Sequence, residues 1–227
     1  MDVRPLTPAG AGWAAEVLAR RRAALVPHAP VYWRPAADAV ARHRDFLASV
    51  LGAGGGIGFR TEDGLMIATR GPRGWTVDDA WVPPDRWERD GAALWDRTIA
   101  GTGDGAVRFV CPVAEPERTA FARRRGLAPA TSWWHAEVPP VPGPGASAPR
   151  VDGSDARLVP APPVYDPGGP ILFLRDVRDV AAVARSRAEA ARCGAPLVVV
   201  DQPAGAGELG RALAEHRFVR HCDFLDG

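Results

Sequence analysis

The chain of 227 residues is long enough for one large domain or one and a half small ones, and its 46% hydrophobic content supplies a sizeable core. Its 28 basic residues are all arginine and face 27 acidic ones, so there is no positive excess for nucleic acid or an anionic membrane, and no lysine for a Schiff base or a phosphate loop. Cys111, Cys193 and Cys222 lie far apart with no paired motif, and no signal peptide or apolar run of about 20 residues is present; this predicts a cytoplasmic protein with reduced thiols.

In chain order, Val3 to Leu6 reads as a short strand and Gly12 to Arg22 as a helix with Trp13 and Val17 on one stripe. A Pro-containing loop, Val26 to Pro35, carries His28, Tyr32, Trp33 and Arg34. Ala36 to Leu51 reads as a second helix that buries Val40, Phe46, Leu47 and Val50, with His43 beside that stripe as a packed rather than catalytic histidine. Gly52 to Gly56 follows a helix and precedes a strand, the reverse of a phosphate cradle, so it is a connector. Ile57 to Thr61, Leu65 to Thr69 and Trp75 to Val82 form an antiparallel meander through turns at Asp63-Gly64 and Gly71 to Gly74.

A helix (Trp87 to Ala100), a strand (Ala106 to Pro112), a helix (Glu115 to Arg125) and a strand (Thr131 to Val138) follow. Residues 139–153 are a Pro/Gly-rich linker between a domain of residues 1–138 and a half-domain of residues 154–227. Beyond it come strands at Ala156 to Val159 and Ile171 to Leu174, a helix at Val177 to Arg192, the apolar strand Leu197 to Val200, a helix at Glu208 to His216 and a last strand at Val219 to Leu225. The order and spacing of 75–138 recur in 170–227, which predicts an internal repeat. Leu197 to Val200, with no polar alternation, is expected to be covered on both faces.

Strand, two helices, three antiparallel strands, helix, strand, helix, strand: this order resembles the GNAT (N-acetyltransferase) superfamily, and residues 154–227 resemble the second half of the same fold. The resemblance implies an α/β (α+β) fold, a mixed and mainly antiparallel sheet flanked by helices, with a partial second GNAT-like unit. It also implies direct transfer of an acyl group from acetyl-CoA or another acyl-CoA to a small-molecule amine. The family signature aligns with Val82-Pro-Pro-Asp-Arg86-Trp-Glu-Arg89-Asp90-Gly91-Ala92, where Arg86 matches the first position, Gly91 the last, and Arg89 replaces the middle glycine. By this resemblance Val82, Arg86, Arg89, Asp90, Gly91 and Ala92 would hold the cofactor's pyrophosphate at a helix N-terminus. Its pantetheine arm would run between the strands ending at Val82 and starting at Ala106. The position of the family's acid tyrosine is Ala122.

Within the fourth strand a period of two groups Asp79 with Trp75, Val77 and Trp81. A carboxylate among indoles is expected to have a raised pKa and to act as the general base, the alternative being a strand acid turned to solvent. Tyr32, Trp33 and Arg34 lie in the loop that borders the acceptor site in the family; they either hold a flat or anionic acceptor or plug the core under the loop. The five histidines and three cysteines show no metal-ligand spacing. The competing function is a catalytically silent GNAT-fold protein that serves as a ligand-sensing or interaction module. Oligomeric state has no signature in the sequence.

Overall fold

The computed structural model describes residues 2–103, 105–139 and 148–227. They fold into two units: Met1–Ala24, Ala37–Pro129 and Phe224–Gly227 make the first, Leu25–Ala36 and Ala130–Asp223 the second. Among the described residues no helix is long and apolar enough to cross a membrane.

In the first unit the strand order is β1 (Arg4–Pro5), β2 (Gly56–Arg60), β3 (Leu65–Gly71), β4 (Gly74–Trp81) and β5 (Val107–Pro112), antiparallel except for the parallel β4–β5 pair. Gly227 at the end of β10 (Val219–Asp226) exchanges backbone hydrogen bonds with Val107 and so adds the chain's last residues beside β5. Gly74 has φ of 116°, and a Cβ there would stand 2.4 Å from the Ala106 carbonyl oxygen, so only glycine allows β4 and β5 to start this close together. Pairing then runs only from Trp75↔Val107 to Val77↔Phe109, after which the two strands separate.

Helices α3 (Ala92–Thr102) and α4 (Pro116–Arg124) cover one face, where Phe109 is ringed by Trp87, Trp95 and Phe121. Helices α1 (Ala11–Leu25) and α2 (Ala39–Gly52) contribute Leu18 and Leu47 to a cluster with Leu65 and Ile67. The buried stripe of α2 is Ala39, His43 and Leu47, spaced by four. The expectation that Val40 and Phe46 are buried is corrected: they are 44% and 48% exposed, because the helix starts at Ala39 and presents a different face inward.

In the second unit the order is β10 (its residues 219–223), β6 (Ala128–Glu137), β9 (Leu197–Pro203), β8 (Ile171–Arg175) and β7 (Asp155–Val159). β8 and β9 are parallel, and β6 pairs antiparallel with β9 from Thr131↔Pro203 to Glu137↔Leu197. Helices α5 (Ala181–Arg192) and α6 (Gly207–Glu215) cover one face through Val183, Ala190, Leu209 and Leu213. Leu197, Val198, Val199 and Val200 are at most 2% exposed, as a central strand requires. Val198→Ala is expected to cost about 2 kcal/mol, two methylene equivalents plus a small cavity, read as a lower denaturant midpoint.

The series β4-α3-β5-α4-β6 recurs as β8-α5-β9-α6-β10. The units nevertheless do not coincide with the stretches 1–138 and 154–227. β6 pairs with β9 and the end of β10 with β5, so the first half of the sequence gives most of β6 to the second unit and the second half gives the end of β10 to the first. Residues 140–147 of the expected linker lie outside the described residues, whereas Val151 belongs to the core of the second unit.

Candidate functional site

The geometry of the first unit centres on an irregularity in β4. Met66 faces Ala80 and Ala68 faces Val77, so Ile67 stands opposite both Asp78 and Asp79, which form a β-bulge. The bulge resets the alternation. Val77, Ala80 and Val82 all enter the core beneath α3 and α4, whereas Trp81 joins the cluster of α1 and α2. Asp79 therefore sides with Trp81 and not with Trp75 and Val77, a correction to the regular period of two.

Asp79 is paired rather than surrounded by indoles. His43 Nε2 lies 3.0 Å from its Oδ2, and Arg22 Nη1 lies 2.7 Å from His43 Nδ1. A guanidinium only donates, so Nδ1 accepts from Arg22 and the imidazole gives its Nε2–H to Asp79. Burial works to raise the Asp79 pKa, but the hydrogen bond from His43 and the charges of Arg21 and Arg22 outweigh it and leave the carboxyl below its ordinary value. The expected upward shift is thus corrected: Asp79 is a held carboxylate, a poor base and a good acceptor. Asp78 is exposed.

A second array fills the gap where β4 and β5 part. Arg118, fully buried in the first turn of α4, donates to the carbonyls of Ala80 and Asp78 at 2.9 Å each and reaches that of Val77 at 3.5 Å. Glu115 stands 3.4 Å from Arg118 and accepts two bonds, at 2.6 and 2.9 Å, from Arg21. Burial acts to raise the Glu115 pKa, and Arg21 and Arg118 overcome it, so the carboxyl lies below its usual range. Sequence reasoning overlooked Arg118. Its signal was a cation in the first turn of a helix, where the macrodipole favours an acid.

The signature stretch is also internally engaged. Arg86 pairs with Asp63 at 2.5 Å and Arg89 with Asp90 at 2.6 Å, and Asp90 is buried. Residues Trp87–Gly91 form a π-helical turn ahead of α3, and the Ala92 N–H bonds to the carbonyls of Trp87 and Arg89. A Cβ on Gly91 would come within 2.7 Å of the Trp87 ring, so this glycine makes room for an indole. Val82 is buried in the core, with Ala92 packed against it. A cleft of about 600 Å³ borders the stretch, lined by Arg4, Arg60, Arg86 and Arg89 but also by Asp2, Glu62, Asp63 and Asp90.

Tyr32, Trp33 and Arg34 belong to the second unit. Its part of the chain has no counterpart of α1 and α2 among the described residues, and Val31 and Tyr32 pack over the sheet face of Ile171, Leu197 and Val199 that those helices would cover. Trp33 is buried and meets Tyr165 at 5.4 Å between ring centres; Arg34 Nε donates to the Asp166 carbonyl. The Tyr32 ring lies 3.7 Å from that of His221.

Solved structures similar to the whole chain agree with this architecture. A provisionally assigned acetyltransferase from Thermoplasma acidophilum matches with TM-score 0.56 and 13% identity, covering 100% of this chain and 99% of that one. A GCN5-related N-acetyltransferase from Sphaerobacter thermophilus matches with TM-score 0.52 and 15% identity, covering 100% and 95%. A provisionally assigned acetyltransferase from Pyrococcus horikoshii matches with TM-score 0.54 and 11% identity, covering 100% and 88%. No family model and no curated protein matches the sequence. The chain has the GNAT acetyltransferase fold, a mixed α/β architecture with a mainly antiparallel sheet flanked by helices.

Proposed function

We propose that this chain keeps the GNAT frame without performing acyl transfer in its first unit, and serves as a ligand-sensing or interaction module. Arg118 carries this reading. In the acyltransferase fold the gap between β4 and β5 receives the pantetheine arm, whose amides pair with free β4 backbone groups; here those carbonyls already accept from a buried guanidinium. Trp87 over Gly91 and the internal pairing of Arg86 and Arg89 support the same reading at the pyrophosphate end.

One observation favours the other reading, an acyl-CoA-dependent N-acyltransferase that acts on a small amine. The Arg22–His43–Asp79 array holds an ionised carboxylate on the β4 bulge, suited to anchor an ammonium group. In that reading Asp79 receives the amine, and Val82, Arg86, Arg89, Asp90, Gly91 and Ala92 contact acetyl-CoA.

Calorimetry of the purified protein with acetyl-CoA and with coenzyme A separates the two. The expected result is no binding tighter than about 1 mM, a free energy of about −4 kcal/mol. A Kd below about 0.1 mM that weakens at least about tenfold in Arg86→Ala/Arg89→Ala would restore the acyltransferase reading.

A further inference from the structure

We propose that residues 25–36 form an acid-released strap: at mildly acid pH, protonation of His135 and His221 beneath it lifts the strap from the sheet face of the second unit. The device is independent of whether the first unit transfers acyl groups. Leu25–Ala36 belongs to the second unit although it runs between α1 and α2. Its last residues are tied down through the backbone, where the Ala36 N–H donates to the Val164 carbonyl at 3.1 Å and the Asp166 N–H to that of Arg34 at 2.9 Å. Over the sheet the strap rests on rings and a carboxylate. Tyr32 lies 3.7 Å and Trp33 4.8 Å from the His221 ring centre, Tyr32 lies 6.0 Å from that of His135, and the Val31 N–H donates to Glu137 at 3.0 Å.

His135 on β6 and His221 on β10 turn to this strap and are 5% and 6% exposed. Among the described residues no group bonds to either ring nitrogen of His135 or to Nε2 of His221, so no protein acceptor under the strap receives the extra proton of a charged ring. Lifting the strap hydrates both rings and leaves β6 paired with β9 and β9 with β8.

The sign of the effect follows from burial. Burial holds the His221 pKa down to about 3, with His135 adding to the effect, and burial lowers that of His135 against the pull of Glu137. With the strap lifted the rings are hydrated and titrate at about 6.5. Between the closed and open values the open form binds more protons, so closure is fully favoured above about pH 6.5 and is lost as pH falls. Each unit of pH below about 6 multiplies the opening constant about tenfold for each histidine. The remaining charged groups on the packed elements are engaged elsewhere or face away. In the strap, His28 is exposed and Arg34 donates to the Asp166 carbonyl, while Tyr165 meets Tyr32 ring to ring at 6.5 Å. On β10, Asp223 accepts from Ser132 and Arg220; on β9, Asp201 stands opposite Trp133; and β8 presents Ile171 and Phe173.

The test is NMR-detected hydrogen exchange of the full-length protein at about pH 5.5 and about pH 7.5, a window above the ordinary carboxylate range, corrected for the intrinsic pH dependence of exchange. At the lower pH the Val31 and Ala36 amides should lose protection at least about tenfold, and about a hundredfold where both rings take up a proton, while the Val198 and Val200 amides of β9 keep theirs. The double variant His135→Phe/His221→Phe, with apolar rings of similar size, should hold the strap amides within about twofold across the same window. In the parent each of the two imidazoles should titrate below about pH 5.5, a readout that does not need the variant to fold. Strap protection that is independent of pH, loss of β9 protection in step with the strap, parental pH dependence in the double variant, or imidazole midpoints at about 6.5 would each overturn the assignment.

Discussion

Arg118→Met should lower the unfolding free energy by about 3 to 5 kcal/mol, read as a shift of the guanidinium chloride midpoint at pH 7. Beyond Val77 the β4 backbone has no β5 partner, and its carbonyls at Asp78 and Ala80 accept from a side chain instead. Arg118 is what satisfies them: one fork reaches Ala80, Asp78 and Val77 while its charge is met by Glu115. Methionine fills most of the volume and supplies no donor, so the Ala80 carbonyl loses its guanidinium, the Asp78 carbonyl keeps only the longer bond from Arg21, and Glu115 retains only Arg21. Arg118→Lys should recover less than half of the loss, because a single ammonium lacks the planar fork. Arg86→Ala, whose pair with Asp63 is 39% and 48% exposed on its two sides, should stay within about 1 kcal/mol of the parent. An Arg118→Met protein equally close to the parent would show that the guanidinium does not hold β4, and the proposed loss of acyl transfer in the first unit would lose its support.

The order of elements was legible in the sequence because it rests on periodicity and punctuation. The hairpin at Asp63-Gly64, the apolar run Leu197 to Val200 and the second strand-helix series all stand where pattern placed them. Three features were not legible. The bulge at Asp78-Asp79 changes the side of every later β4 residue, and nothing local marks an extra residue in a strand rich in small and charged side chains. The trade of β6 and the end of β10 between units is a long-range pairing, and two strands of like pattern do not reveal which neighbour each takes. Arg118 is one of 28 arginines; only the fold identifies it as a fully buried one that donates to the β4 carbonyls. For Tyr32 and Trp33 the sequence left plug and ligand contact open, and their packing on Ile171, Leu197, Val199 and Tyr165 is that of a plug.

Glu115→Gln should reveal the second large effect through its pH dependence. At pH 7 the variant is expected to be about 3 to 5 kcal/mol less stable than the parent, since Arg21 loses its two-bond partner and Arg118 its counter-charge in a buried setting. The Glu115 carboxyl lies below its ordinary pKa in the folded chain, because Arg21 and Arg118 outweigh the opposing effect of burial. In the unfolded chain it titrates at about 4.3. Between those values the unfolded state binds the extra proton, so stability rises with pH there. The contribution is therefore complete above about pH 5, and drains away as pH falls through the unfolded value toward the folded one. Asp79, held down by His43, Arg21 and Arg22, adds a loss of the same sign in the acid range. Subtracting the Glu115→Gln unfolding curve from the parent's at each pH cancels Asp79 and every other titrating group, to the extent that they are uncoupled. The difference should be constant from pH 7 to about pH 5 and shrink steadily below it. A difference that stays flat to pH 2.5 would mean that Glu115 has no titration-linked share in stability, and that the arginines around the bulge are held by the β4 carbonyls alone.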